Sequence, residues 1–114
     1  LFTLDFRLRL DIQHELFGAP NFQQENQKFY QWCWDNSIKN CQETGLPLYD
    51  YSAVYISHII SRGSDRRVAI DPRNINILSF EMHQKWESLK NNEMNIFPTN
   101  KIIIQMLKND YNVI

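Results

Sequence analysis

The sequence predicts an α+β fold, and three observations carry that prediction. Phe2-Thr3-Leu4-Asp5-Phe6-Arg7-Leu8-Arg9-Leu10 alternates apolar and polar residues, the period of a half-buried strand. Asn74-Ile75-Asn76-Ile77-Leu78 alternates again over a shorter run. Residues 21–37 and 98–112 instead carry apolar side chains at helical spacing behind capping residues. With 114 residues the chain fits one domain able to bury a core without staples. It divides into an N-terminal strand and helix over 1–40, a functional core over about 41–90 and a C-terminal helix over 98–112.

In the strand at 2–10 the even positions face a core, and the strand needs a partner to be stable. Asp11 to Phe17 forms one or two helical turns, with His14 at the surface, ended by Gly18-Ala19-Pro20. Asn21 then caps a helix to about Ser37, with Gln24 at the third helical position as in a capping box. Phe22, Phe29, Cys33 and either Tyr30 or Trp34 form its apolar stripe. Thr44-Gly45-Leu46-Pro47 is a turn, and Ser52 to Ser57 a strand that delivers His58. Residues 61–73 hold Gly63, Pro72, two aspartates and four arginines, and read as a polar loop. After the strand at 74–78, Ser79 caps a helix carrying Phe80, His83, Trp86, Glu87 and Leu89-Lys90. Asn91-Asn92 breaks it, and Thr99 caps a last helix with Ile102, Ile103, Met106 and Leu107 on its apolar face.

Composition narrows the function classes. The formal charge of −1 sets this chain apart from strongly basic nucleic-acid binders, whose affinity comes mainly from phosphate contacts. Yet Arg62 to Lys90 holds six basic and four acidic residues, a locally positive stretch. Cys33 and Cys41 are too few for a disulfide framework or a zinc knuckle. No apolar run approaches membrane-spanning length and no signal peptide is evident, so a cytoplasmic, reducing setting is expected, without a membrane. The opening at Leu1 rather than methionine is compatible with one domain of a longer protein.

Four short motifs follow one another: Cys41-Gln42-Glu43-Thr44-Gly45, Ser57-His58-Ile59, Asp71-Pro72-Arg73-Asn74, and His83 nine residues after Asn74, with Trp86-Glu87 closing the helix. In order and spacing they resemble the HNH, or ββα-metal, endonuclease family over roughly residues 29–90. The resemblance implies a ββα-metal core flanked by the N-terminal strand and the outer helices. It also implies hydrolysis of DNA phosphodiester bonds to 5′-phosphate and 3′-hydroxyl ends. Thr44 stands where many members carry the second cysteine of a zinc-binding pair, and a second pair is missing, so no structural zinc is expected.

The chemistry of these residue types assigns the roles. Hydrolysis needs an activated water, and a neutral imidazole suits that task, which makes His58 the general base. Asn74 braces the loop through backbone hydrogen bonds and completes the catalytic set. One divalent cation, Mg²⁺ foremost with Mn²⁺, Ni²⁺ or Zn²⁺ as alternatives, would neutralise phosphate charge and bind the leaving oxygen. His83 is its expected ligand. Ser57 stands where the best-known members carry Asp or His, and a hydroxyl is a poor Mg²⁺ ligand. Glu87, four residues beyond His83 on the same helical face, is a further ligand, with Asp50 and Asp71 as outside candidates. Arg62, Arg66, Arg67, Arg73 and Lys85 would grip duplex DNA along its backbone while the hairpin enters the minor groove. A homodimer would supply the two active sites that cutting both strands requires. The alternative is a non-catalytic HNH-like module that binds nucleic acid or a protein. A third reading is an RNase or toxin-type nuclease on the same fold.

Overall fold

The structure, a computed structural model, describes residues 21–112. The expected strand at 2–10, the turns at 11–17 and His14 lie outside the described residues. Within them the fold is α+β, built on one two-stranded antiparallel hairpin, β1 (Ile56–His58) and β2 (Ile75–Ile77). Its register pairs Ile56 with Ile77, Ser57 with Asn76 and His58 with Ile75. Further bonds from Ile59 N–H to Asn74 O and from Leu78 N–H to Tyr55 O, at 2.8 and 2.9 Å, extend the pairing at both ends.

The strand expected over 52–57 is only partly extended. The Ser52 hydroxyl accepts from the Val54 N–H, and this local bond curls Ala53–Tyr55 into a 3₁₀ turn before β1 begins. The stretch read as a polar loop also contains structure. Asp65 caps a short helix, α2 (Arg66–Ala69), which buries Val68 and Ala69 together with the following Ile70. Asp71 caps a second 3₁₀ turn, Pro72–Asn74, which leads into β2.

Helix α1 (Phe22–Asp35) packs on one face of the hairpin. Asn21 accepts from the Gln24 N–H at 3.1 Å, as its position ahead of an apolar run requires. Phe29, Cys33 and Trp34 join Ile56, Ile70, Ile75 and Ile77 in one buried cluster, and burial pushes the Cys33 thiol far up. Trp34 rather than Tyr30 fills the fully buried position of the stripe. Phe22, expected in that stripe, is exposed in the first turn, where the Arg66 guanidinium lies 4.3 Å from its ring centre.

Helix α3 (Phe80–Trp86) follows β2 directly and is capped by Ser79, as expected. It stops at Glu87 rather than continuing to Lys90, because Ser88 folds back to bond the Lys85 carbonyl at 2.7 Å. Helix α4 (Phe97–Tyr111) starts two residues ahead of Thr99. Pro98 occupies its first turn, where a missing N–H leaves no bond unmade. Cys41, Ile59, Leu78, Trp86 and Met94 form a second buried cluster, with Phe97, Ile103 and Ile104 of α4 packed against it. All three residues of β2 are therefore buried, and Asn76, on the α4 side, receives a hydrogen bond from Asn100 at 2.7 Å.

The turn at Cys41–Gly45 is held by a set of local hydrogen bonds. The Cys41 N–H bonds Leu46 O and the Gly45 N–H bonds Cys41 O, while Gly45 adopts φ +77°, which its missing Cβ permits. Thr44 accepts from the Leu46 N–H at 3.2 Å. Gln42 exchanges two bonds with the Ile77 backbone, and the Glu43 carboxylate accepts from the N–H groups of Asn95 and Ile96. No helix among the described residues is long and apolar enough to cross a membrane.

Candidate active site

His58 closes β1, and its surroundings fix both its charge and its tautomer. Nε2 lies 3.0 Å from the Ala69 carbonyl, which can only accept, so Nε2 carries the proton and Nδ1 keeps the lone pair. Burial pushes the imidazole down to about 4, helped by the nearby Arg62 charge and opposed by the Ala69 carbonyl and Glu87. At neutral pH the ring is uncharged, the form a base requires.

Asn74 stands behind His58, fully buried. Its Oδ1 accepts from the Ile60 N–H at 2.7 Å and its Nδ2 donates to the Ile60 carbonyl at 3.0 Å. One amide thus satisfies both polar groups of a backbone that has just left the strand. Asn74 contacts the loop and does not line the cleft. Asp71 anchors the same turn from beneath. It accepts from the Arg73 guanidinium, the Arg73 N–H and the Tyr111 hydroxyl. Burial alone would raise its carboxyl, but those bonds outweigh burial and hold it below the usual carboxylate range.

His83 sits on α3 facing the 3₁₀ turn ahead of β1. Nδ1–H donates to the Val54 carbonyl at 2.6 Å, which directs Nε2 toward Glu87 Oε1, 3.0 Å away. The spacing of four residues brings the two side chains one above the other on the helix. Trp86 fixes α3 against the strand end, its indole N–H shared between the His58 and Ile59 carbonyls at 3.1 and 3.2 Å. His58, Arg62, His83 and Glu87 line one cleft of about 980 Å³, together with Tyr30, Trp86 and Phe97.

The other expected site residues lie elsewhere. Ser57 is fully buried on the face of β1 opposite His58, where its hydroxyl meets no protein partner. Strand alternation removes it from the cleft wall, so the structure offers no support for Ser57 as a ligand beside His83. Asp71 is occupied as described, and Asp50 is exposed outside the cleft. The arginines also separate. Arg66 pairs with Glu25 and Asn26, Arg67 with Asp65 and the Tyr111 carbonyl, and Arg73 with Asp71 and Asp110. Lys85 is half-buried on α3, outside the cleft wall. Arg62 alone of this group faces the cleft.

Tyr30 is, in the sequence, a candidate for the apolar stripe of the helix and is not singled out for the site. It is half-buried on α1, its ring edge-on to His58 at 5.8 Å between centres, and its hydroxyl accepts from Arg62 at 3.1 Å. The available signal was its polar tip beside an otherwise apolar stripe, since a part-buried tyrosine hydroxyl usually finds a partner. Among the described residues no three His, Cys, Asp or Glu side chains converge as a metal-binding group. No family model, curated protein or solved structure matches this chain.

Proposed function

We propose that the chain is an endonuclease of the HNH type, hydrolysing DNA phosphodiester bonds in the His58 cleft with one divalent cation. The observation that carries this reading is the shared cleft. A neutral imidazole with its lone pair on Nδ1 and a histidine–carboxylate pair line the same wall. His58 takes a proton from the attacking water, Asn74 holds the loop that sets its position, and Arg62 meets the phosphate.

The His83–Glu87 pair fits a cation. With Nδ1–H committed to Val54, a neutral His83 turns a lone pair toward a carboxylate oxygen 3.0 Å away. Two acceptors that close need a proton or a metal ion between them. A backbone partner on the far nitrogen is also the usual way a ligating histidine is oriented. His83 Nε2 and Glu87 would hold the ion, with water and phosphate oxygens completing its sphere. Bound there, a divalent cation supplies Lewis-acid neutralisation of phosphate charge.

A second reading, a non-catalytic module that binds nucleic acid or protein, is favoured by the carboxylate pairing of Arg66, Arg67 and Arg73. One experiment separates the two. Supercoiled plasmid, with an RNA panel beside it, is incubated with the protein in Mg²⁺ or Mn²⁺ and in EDTA. The enzyme reading expects metal-dependent nicking that His58→Ala lowers about 10²- to 10⁴-fold, with fold and DNA binding kept. Binding without nicking establishes the module instead, and unchanged nicking by His58→Ala removes His58 as the base. Cleavage confined to RNA would transfer the reading to a ribonuclease. We further propose a cytoplasmic setting.

A further inference from the structure

We infer that Tyr30 is a positioning residue that holds Arg62 at the cleft rim as the loop's single phosphate clamp. The inference rests on reading the cleft as a phosphodiester site, and goes beyond it by saying which cation meets the backbone and what aims it.

Among the described residues Arg62 is the one arginine without a carboxylate partner. Arg66, Arg67 and Arg73 each donate to an acidic side chain of this chain. A guanidinium already paired with a carboxylate offers an incoming phosphate little net charge. Arg62 is exposed, lines the cleft and donates one N–H to a neutral oxygen, the Tyr30 hydroxyl. That contact orients the fork without cancelling its charge, and leaves the remaining donors of a rigid planar group for a phosphate. An exposed arginine otherwise loses rotamer freedom on binding, so prior orientation strengthens association. Tyr30 itself cannot wander. Its ring is packed against Phe29 on one side and stands edge-on to His58 on the other. One rigid side chain therefore relates the clamp to the base.

The test is fluorescence anisotropy of a labelled duplex and a labelled single strand, with EDTA present, over about 50 to 200 mM salt. Wild type, Arg62→Ala, Arg67→Ala, Tyr30→Phe and the Tyr30→Phe/Arg62→Ala double variant are compared. The thermal midpoint of each checks the fold. Arg62→Ala is expected to lower the log–log salt slope by about 1, one phosphate's worth, while Arg67→Ala leaves it unchanged. Tyr30→Phe keeps the ring and is expected to weaken binding roughly three- to tenfold, the worth of one hydrogen bond. That loss should vanish in the Arg62→Ala background, which a merely structural role would not produce. Equal losses in both backgrounds, or none, overturn the positioning role while the phosphodiester reading stands. An equal drop in slope for Arg67→Ala overturns the single clamp. If the wild-type protein binds neither strand form, the cleft reading and this inference fall together.

Discussion

Among single residues, Asn74 and His58 have the sharpest consequences. Asn74→Ala leaves the part-buried N–H and carbonyl of Ile60 without their side-chain partner. An orphaned group costs about 1–3 kcal/mol when fully buried, and because Ile60 is only half-buried a loss of roughly 2–4 kcal/mol is expected in urea denaturation. Asn74→Asp should be no better, since it retains the acceptor but sets a second oxygen against the Ile60 carbonyl. A variant as stable as wild type would mean that the loop is held by something else. His58 links stability to pH. The folded protein keeps its imidazole neutral down to about 4, whereas the unfolded chain protonates it near the ordinary 6.5. The unfolded state thus binds the extra proton, and stability present above pH 6.5 drains away as pH falls toward 4. The sign is that of any group whose folded value is depressed. The full effect is on the order of 3 kcal/mol, visible as a falling denaturation midpoint that His58→Gln should flatten across this window.

Among elements, the hairpin shows what pattern alone conveys and what it cannot. Alternation located β2 because Ile75 and Ile77 share a face, but it described that strand as half-buried. Burial of Asn76 depends on α4, more than twenty residues away in sequence. Asn100→Ala should accordingly cost about 1–3 kcal/mol by leaving the Asn76 side-chain oxygen Oδ1 unpaired. Removing both amides in Asn76→Val/Asn100→Ala should restore much of that loss, and a double-mutant cycle by denaturation measures the coupling. Additive losses would show that the pair is not coupled. Caps were legible for a related reason. Asn21 and Ser79 act within three residues of themselves, so their neighbours in sequence are their neighbours in space. Helix α2 was not legible, because one turn is too short to establish a period and its arginines outweigh Val68 and Ala69. At the site, His58, Asn74, His83 and Glu87 could be named from order and spacing. Their carbonyl partners at Ala69, Ile60 and Val54 could not, since a backbone acceptor leaves no trace in residue type. Ser57 was misplaced by adjacency: next to His58 in sequence, it lies across the strand from it.

For the molecule as a whole, the proposed cation site would couple metal binding to folding. The chain carries 12 basic and 13 acidic residues, and most of the loop's positive charge is spent internally. A net charge of this size would not by itself hold a divalent ion, so in the proposed reading retention would depend on His83 and Glu87 being brought together. That geometry belongs to α3, which Trp86 docks on the end of β1. An unfolded chain has no such pair, so a cation that binds the native state raises its stability by mass action. At a hundredfold excess over the dissociation constant the gain is about 2.7 kcal/mol, a rise on the order of 10 °C in melting temperature for a domain this size. Because a metal ion binds only deprotonated ligands, the proposed ion would release protons on binding. Calorimetry in buffers of different ionisation enthalpy should register the released proton. His83→Ala should abolish both effects. A thermal shift that survives His83→Ala would place the ion elsewhere and leave the Glu87–His83 contact as an ordinary helix-surface pair.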